Sequence, residues 1–290
     1  MPELEVNGTR LYYQQSGEGP DVVLVHAVTS NQAVWVFSGL VDALTAEFRV
    51  TSYDLRGHGA SDRPATGYTS AVMADDFQKL HAALGLERAL LVGHSFGGVT
   101  GLHAAYLYPE CVSGVILSDS FFPGLQHVEP NYGKPSIWVD LRETYNKVGV
   151  YLGETIDFTR LFRATAEMTA EQLNALEELV GPFGRGWLRQ LPQLAETTCG
   201  AEVLTEAGLT AEAIASVSCP VVALYDEFSP FLETSHWLER HLPHCTAEII
   251  PAAKHLAVLE NSEVFTAAVL RHLKRLAGLT QSKNPSLTQH

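Results

Sequence analysis

Residues 89–108 read ALLVGHSFGGVTGLHAAYLY, a short apolar run followed by a glycine-rich turn and a second apolar segment. The first four residues are apolar without alternation, as in a strand that is covered on both faces. From Gly97 onward, small and apolar residues recur at helical spacing. The segment therefore predicts a buried strand, a tight turn that carries Ser95, and a helix.

The turn Gly93-His94-Ser95-Phe96-Gly97 has the composition of a nucleophile elbow. At so sharp a strand-to-helix turn the serine backbone is strained, and small residues two positions before and after it let neighbouring backbone approach. Such a turn raises the serine hydroxyl above the sheet edge and directs the helix N-terminus and the Phe96 N–H toward developing negative charge. We therefore predict Ser95 as a nucleophile and Phe96 as one oxyanion-hole donor.

The composition is that of a folded, acidic chain of 290 residues, 46% hydrophobic, with a formal net charge of −14. This length fits one large α/β domain, and no Pro/Ser/Gly-rich linker or block of charge divides it. The acidic balance argues against nucleic acid and anionic membrane as partners. The four cysteines lack CxxC spacing and the first ten residues lack an apolar signal stretch, so we expect a cytoplasmic protein with reduced thiols.

Strand and helix patterns alternate along most of the chain. Asn7-Gly8, between two alternating segments, predicts an N-terminal β-hairpin. Apolar runs predict further strands, and two longer periodic segments predict helices at residues 70–84 and 262–276. Short strands that alternate with helices imply a mostly parallel sheet with helices on both faces.

The alternation stops between residues 121 and 217, where helical patterns dominate. A long connection without sheet is usually functional, and this one leaves the sheet at its carboxyl edge, on the side of Ser95. We interpret residues 121–217 as an inserted helical lid on a core formed by residues 1–120 and 218–277. Glycines predict a loop near the end of this segment, at Gly181, Gly184 and Gly186, and the polar residues 278–290 predict a disordered tail.

A serine nucleophile needs an imidazole base and a carboxylate that orients the base. In a fold with a nucleophile elbow, the chain order is serine, acid, histidine. His255 is the candidate base because it follows the last predicted strand in a loop of small residues, whereas His272 lies inside the closing helix. No cluster has metal-ligand spacing and no cofactor loop is present, so we expect neither a metal nor a cofactor.

Four blocks occur in the order found in the α/β-hydrolase family, and the chain resembles that family over nearly its whole length. They are VLVHA at residues 23–27, DLRGHGASD at 54–62, GHSFGG at 93–98 and the late loop before LENSEVF at 259–265. The resemblance implies the α/β-hydrolase fold and structural or pocket-lining roles for His26, His58 and His94. It also implies that the loop after the first long strand supplies the second oxyanion-hole donor, which is Val28 here.

The position of the acid departs from the common family pattern. Most members carry it after the strand that here spans residues 221–225, where this chain has Ser229 at the usual acid position and Asp226 at the usual glycine. Asp226 or Glu227 could substitute from a shifted position. Some branches instead place the acid at the end of the strand before the lid, which is Asp119 here. We choose Asp119, with Asp226 as the alternative.

Among branches with the early acid, the chain is most similar to fungal zearalenone lactonases. The similarity lies in the modified late-strand loop and in the segment GWLRQLP at residues 186–192. In that family a lid tryptophan contacts the substrate, and Trp187 stands at the matching position. The DLRGHGASD and GHSFGG blocks follow the general hydrolase pattern more closely than that branch does.

These features predict a hydrolase of carboxylic esters or lactones that uses a Ser95–His255–Asp119 triad and an acyl-enzyme on a small to medium apolar substrate. Dehalogenase and epoxide-hydrolase chemistry is disfavoured, because those relatives need a carboxylate at the elbow. The alternatives are a ligand-sensing receptor of the same fold with slow turnover, and a carbon–carbon bond hydrolase or acyltransferase. We expect a monomer or homodimer whose partner is a small-molecule ester or lactone, not nucleic acid or membrane.

Overall fold

The centre of the molecule is one eight-stranded sheet. Its strands are β1 Glu3–Val6, β2 Thr9–Ser16, β3 Asp21–Val25, β4 Arg49–Tyr53, β5 Ala89–His94, β6 Val112–Ser118, β7 Val221–Asp226 and β8 Cys245–Ile250. In the computed structural model, which describes residues 2–279, their order is β1-β2-β4-β3-β5-β6-β7-β8. β2 pairs antiparallel with β1 and β4, and all other neighbours are parallel. The predicted α/β-hydrolase fold with a mostly parallel sheet is confirmed.

The described helices are α1 Ala33–Phe37, α2 Leu40–Leu44, α3 Ser70–Leu84, α4 Phe96–Leu107, α5 Ser136–Asn146, α6 Phe158–Ala166, α7 Ala170–Leu188, α8 Cys199–Glu202, α9 Ala211–Ala215, α10 Leu232–His241, α11 Ala257–Glu260 and α12 Ser262–Leu276. Local sequence sets the bounds of α3. The Thr69 hydroxyl accepts the Val72 N–H at its start, and Gly85 ends it in the left-handed conformation (φ 60°). The helices predicted at residues 70–84 and 262–276 are therefore confirmed.

Helices cover both faces of the sheet, because side chains along each buried strand alternate between the two faces. In β5, Leu91 belongs to the same apolar cluster as Phe77 of α3 and Val99 of α4. Its neighbour Leu90 belongs to a second cluster that contains Phe265 of α12. The central strands are consequently buried between two helical layers.

The parallel register brings the ends of the central strands to one edge. Val25 of β3 pairs with Gly93 of β5, and His94 pairs with Ser118 of β6. Ser118 pairs in turn with Leu224 of β7. The loops after β3, β5, β6 and β7 therefore leave the sheet side by side, and they carry most of the predicted site residues.

The connection between β6 and β7, residues 119–220, is called the helical insertion below. As described, it contains α5 to α9 and 3-10 turns at Pro123–Val128 and Leu191–Leu194, but no strand. The loop predicted at its three glycines is wrong, because α7 runs through them and only Gly181 has non-helical backbone (φ 69°). Two helical segments meet at a kink at this glycine, and helical backbone resumes after it. The predicted disordered tail lies outside the described residues from position 280 onward.

Candidate active site

Ser95 lies in the tight turn between β5 and α4, with φ 52° and ψ −119°. A methyl group on Gly97 would lie 2.1 Å from the Val25 carbonyl oxygen, and one on Gly93 would lie 2.4 Å from the Gly97 carbonyl oxygen. The two glycines are therefore required for the strand and the helix to approach each other. The Ser95 N–H donates to the Ser118 carbonyl at 2.8 Å, which fixes the turn against β6.

His255 and Asp119 form a hydrogen-bonded pair at the same edge. His255 Nδ1 lies 2.5 Å from Asp119 Oδ2, so the ring donates Nδ1–H to the carboxylate. The other Asp119 oxygen, Oδ1, accepts the Asp226 backbone N–H at 3.2 Å. The Asp119 side chain is 0% exposed and that of His255 is 14% exposed. The carboxylate is thus fixed from both sides and oriented toward the imidazole.

Asp226, the alternative acid, lies beside Asp119 but makes no hydrogen bond to His255 within the described residues. Its Oδ2 accepts the Ala257 N–H at 3.0 Å, and its Oδ1 is buried without a partner in residues 2–279. Burial, and then the charge of Asp119, raises the pKa of Asp226 to about 7. Glu227, the other carboxylate considered, accepts the Ala252 N–H at 2.9 Å instead.

Ser95 and His255 line the same cavity. Among residues 2–279, no hydrogen bond joins the Ser95 hydroxyl to the His255 ring, whose Nδ1 is engaged by Asp119 and whose Nε2 remains available. In ligand-free active sites such bonds are often long and tighten only when substrate binds. The structure therefore brings Asp119 and His255 into contact and places Ser95 in the lining of the cavity that His255 also lines.

The backbone N–H groups of Val28 and Phe96 have no acceptor in the described part of the chain. Val28 lies in the loop after β3 and lines the cavity. Phe96 is the first residue of α4, so its N–H lies at the positive end of the helix dipole. Two unused donors of this kind suit a developing oxyanion.

Two buried histidines hold the loops around the site and are neutral. His26 donates Nδ1–H to the Ala27 carbonyl at 2.8 Å and accepts the Leu55 N–H at 3.0 Å. His58 donates Nδ1–H to the Arg56 carbonyl at 2.9 Å and accepts the Thr29 N–H at 3.0 Å. Burial lowers the pKa of His26 to about 4 and that of His58 to about 3. Each ring therefore acts as a neutral connector between two backbone segments.

His94 fixes the backbone of the candidate base. Its Nε2–H donates to the His255 carbonyl at 2.8 Å, and the two rings lie 5.1 Å apart. Burial, and then the neighbouring His255, lowers the pKa of His94 to about 4. The sequence carries no signal for this contact across 161 positions, and the family resemblance implies only a structural or pocket-lining role for His94.

A cavity of about 850 Å³ lies between the sheet edge and the helical insertion. Core residues such as Val28 and Leu256 and insertion residues such as Ile137, Leu141 and Trp187 line it. No Asp, Glu, Lys or Arg occurs among its described lining residues. A second cavity of about 660 Å³, at residues 149–172 of the insertion, contains none of the predicted site residues.

Trp187 joins the insertion to the loop after β3. Its indole Nε1–H donates to the Thr29 hydroxyl at 2.7 Å, across 158 positions of the sequence. The sequence singled out Trp187 as a substrate contact through the family resemblance but gave no reason to consider Thr29. The structure places both residues at the cavity wall.

Within residues 2–279, no group of three or more His, Cys, Asp or Glu side chains could hold a metal ion. No described helix is both long enough and apolar enough to cross a membrane. All four cysteines are unpaired, and Cys111, Cys199 and Cys219 are buried.

Comparison with known proteins matches residues 20–262 to a family described as alpha/beta hydrolase fold. A stretch of 112 residues is 37% identical to an uncharacterized protein of Mycobacterium tuberculosis, covering 39% of this chain but only 32% of that relative's length. Over 277 residues the chain is 27% identical to the pimeloyl-(acyl-carrier protein) methyl ester esterase of Vibrio atlanticus, covering 90% of this chain and 96% of the esterase. The solved enol-lactonase from Burkholderia xenovorans shares the fold, with a TM-score of 0.68 at 24% identity over 94% of this chain and 100% of the lactonase.

Proposed function

Because the chain belongs to the α/β-hydrolase family, we propose that it is a serine hydrolase of carboxylic esters or lactones. The observation that carries this proposal is the 2.5 Å hydrogen bond between His255 and Asp119, at the sheet edge that also carries Ser95. A histidine held by a buried carboxylate near a serine on a strained turn makes that hydroxyl nucleophilic at neutral pH.

In the proposed reaction, Ser95 Oγ attacks the substrate carbonyl carbon while its proton passes to His255 Nε2. The N–H groups of Val28 and Phe96 and the positive end of α4 stabilise the negative charge on the carbonyl oxygen. His255 then protonates the leaving alkoxide, and the acyl group stays on Ser95. Water, deprotonated by His255, releases the acid and restores Ser95. In a lactone the released hydroxyl remains part of the same molecule.

Asp119 is the proposed acid because it accepts the His255 Nδ1–H and stabilises the imidazolium that forms. Its second oxygen is held by the Asp226 N–H, so the carboxylate keeps one orientation. Asp226 is less suited to the role, since burial raises its pKa to about 7 and a protonated carboxyl cannot balance an imidazolium.

We assign the helical segment at residues 121–217 as a lid over a core of residues 1–120 and 218–277. The support is the cavity wall, to which this segment contributes Ile137, Trp138 and Trp187. A lid that excludes water strengthens every electrostatic interaction in the site.

The proposed substrate is small to medium in size, uncharged and apolar. A cavity of about 850 Å³ without charged side chains among its described lining residues supports this class. Lactones are the first natural substrates to test, because the resemblance to zearalenone lactonases assigns Trp187 to substrate contact. The names of the Vibrio esterase and the Burkholderia lactonase agree with an ester or lactone.

We expect the protein to act in the reducing cytoplasm, since its cysteines are unpaired.

The test is hydrolysis of p-nitrophenyl butyrate by the wild type and by Ser95→Ala, Asp119→Asn and Asp226→Asn. We expect Ser95→Ala to remove all but background turnover, and Asp119→Asn to lower kcat by about 1,000-fold or more, because the asparagine favours the wrong imidazole tautomer. Asp226→Asn should stay within about threefold of wild type, since no hydrogen bond joins Asp226 to the imidazole in the described residues.

Two outcomes would count against the proposal. Full activity in Ser95→Ala would exclude the nucleophile, and loss in Asp226→Asn with an active Asp119→Asn would move the acid to the end of β7. A circular dichroism spectrum and melting temperature for each variant separate loss of chemistry from loss of fold. A wild type that binds esters without turning them over would favour the receptor alternative.

A further inference from the structure

Thr29 holds a backbone conformation that its residue type disfavours. Its φ is 67°, in the left-handed region, and it is the one β-branched residue among the described non-glycine residues with positive φ. Such a conformation is strained for a β-branched side chain, and glycine would adopt it freely. Something other than backbone preference therefore accounts for a threonine at this position.

Two hydrogen bonds hold Thr29 in place. Its N–H donates to His58 Nε2 at 3.0 Å, and its hydroxyl accepts the Trp187 indole N–H at 2.7 Å. His58 is itself anchored on the Arg56 carbonyl at 2.9 Å, and burial keeps it neutral by lowering its pKa to about 3. Thr29 thus connects a fixed point of the core to a side chain of the helical insertion.

Thr29 also directly follows Val28, whose N–H is the proposed oxyanion donor in the loop after β3. A change in the Thr29 side-chain contact therefore acts on the backbone that orients this donor. Small displacements of an oxyanion donor have large effects on rate, because the charge it stabilises exists only in the transition state.

We propose that Thr29 is a positioning residue whose hydroxyl, by accepting the Trp187 N–H, couples the position of the helical insertion to the geometry of the Val28 oxyanion donor. This inference rests on the proposed function. It accounts for the strained threonine, since glycine would relax the backbone but has no hydroxyl to accept the bond.

The kinetic test compares Thr29→Ser, Thr29→Val and Thr29→Gly with wild type, using p-nitrophenyl butyrate. Thr29→Ser retains the hydroxyl and should stay within about twofold, whereas Thr29→Val and Thr29→Gly should lower kcat about tenfold with little change in KM. If Thr29 had only a structural role, Thr29→Gly would be at least as active as wild type, because it removes the strain. A Thr29→Gly variant at least as active as wild type would overturn the proposal. A kcat of Thr29→Val higher than that of wild type would also overturn it.

The partner is tested by Trp187→Phe and the double variant Thr29→Val/Trp187→Phe. Because both changes break the same bond, the double variant should have nearly the kcat of Trp187→Phe alone. Multiplicative losses in the double variant would show that the two residues act separately, and would overturn the coupling.

A readout that does not depend on catalysis is the indole N–H signal of Trp187 in ¹⁵N-tryptophan-labelled protein. The chain has four tryptophans, so Trp187→Phe assigns the signal by its loss. The signal should be protected from solvent exchange in wild type and Thr29→Ser, and exposed in Thr29→Val and Thr29→Gly. Unchanged protection in Thr29→Val would overturn the coupling. Absence of Ser95-dependent turnover would instead reject the proposed function and leave this measurement interpretable.

Discussion

Asp119 follows β6, and Asp226 is the last residue of the neighbouring β7. Their surroundings give the two carboxyl groups different chemistry. Asp119 is bonded through both oxygens, to His255 and to the Asp226 N–H. Asp226 keeps one buried oxygen without a partner in the described residues, and burial raises its pKa to about 7. Two donors hold the first carboxylate in one orientation, whereas the second carboxylate has a pKa close to neutral pH.

We predict that Asp226 makes the folded protein less stable as pH rises. Its pKa is about 3.9 in an unfolded chain, so the folded state, with a pKa of about 7, binds an extra proton between these values. The stabilising contribution is full below about pH 4 and is lost as pH rises through about 7. The free energy of unfolding of Asp226→Asn, measured in urea, should therefore rise relative to wild type between about pH 4 and about pH 8.

Asp42→Asn, which removes an exposed carboxylate, provides the matched control. A pH-independent difference for Asp226→Asn would mean that the buried carboxyl group does not titrate in this range.

The turn between β5 and α4 depends on Gly93 and Gly97, where neighbouring backbone atoms come too close to leave room for a side chain. At Gly97 any side chain would collide with the Val25 carbonyl at the end of β3. At Gly101, one turn further along the same helix, an added methyl group would lie 3.6 Å from Leu91, an ordinary van der Waals distance. The strand–helix unit therefore tolerates a side chain at one of these positions and not at the other.

Gly97→Ala should abolish ester hydrolysis and lower the melting temperature by several degrees, because β3 or α4 must shift to relieve the clash. Gly101→Ala should keep wild-type activity and be neutral or stabilising by up to about 1 kcal/mol, since alanine favours a helix interior. Thermal unfolding and p-nitrophenyl butyrate turnover of the two variants test this. Equal behaviour of the pair would contradict the role of the turn.

The molecule carries a net charge of −14, yet the cavity at Ser95 has no charged side chain among its described lining residues. The net negative charge of the protein would repel a substrate carboxylate. Inside the cavity, the described lining residues offer no lysine or arginine to form an ion pair with it. Burying an unpaired charge costs several kcal/mol, so anionic esters should be poor substrates.

The matched pair for this prediction is p-nitrophenyl hexanoate and mono-p-nitrophenyl adipate, which differ by a terminal methyl group against a carboxylate. We expect kcat/KM to be at least about 100-fold lower for the adipate, which corresponds to about 2.7 kcal/mol. Leu141→Arg, which places a cation at the cavity wall, should narrow this ratio, and Leu141→Met should not. Adipate turnover within about tenfold of hexanoate would contradict the uncharged substrate class.

Local features of this protein could be predicted from its sequence, because residues close together in the chain specify them. Asn7-Gly8 predicts the N-terminal hairpin, and both residues have the positive φ, 48° and 68°, that such a turn needs. The turn at Ser95 and the bounds of α3 follow in the same way from glycines and capping residues. The order of these elements was enough to predict the parallel sheet.

Contacts between distant segments depend on strand register and packing, which no local preference records. Asp119 and His255 are 136 positions apart, and the sequence does not show which of Asp119 and Asp226 contacts the imidazole; in the folded chain Asp119 makes that contact. The bond between Trp187 and Thr29 spans 158 positions. The glycines of α7 show that a local preference can also give a wrong prediction. Glycine has a weak helix preference and predicted a loop here, although only Gly181 departs from helical backbone. Residues that are neighbours in the sequence thus specified the helices, strands and turns. The tertiary structure specified which distant side chains meet.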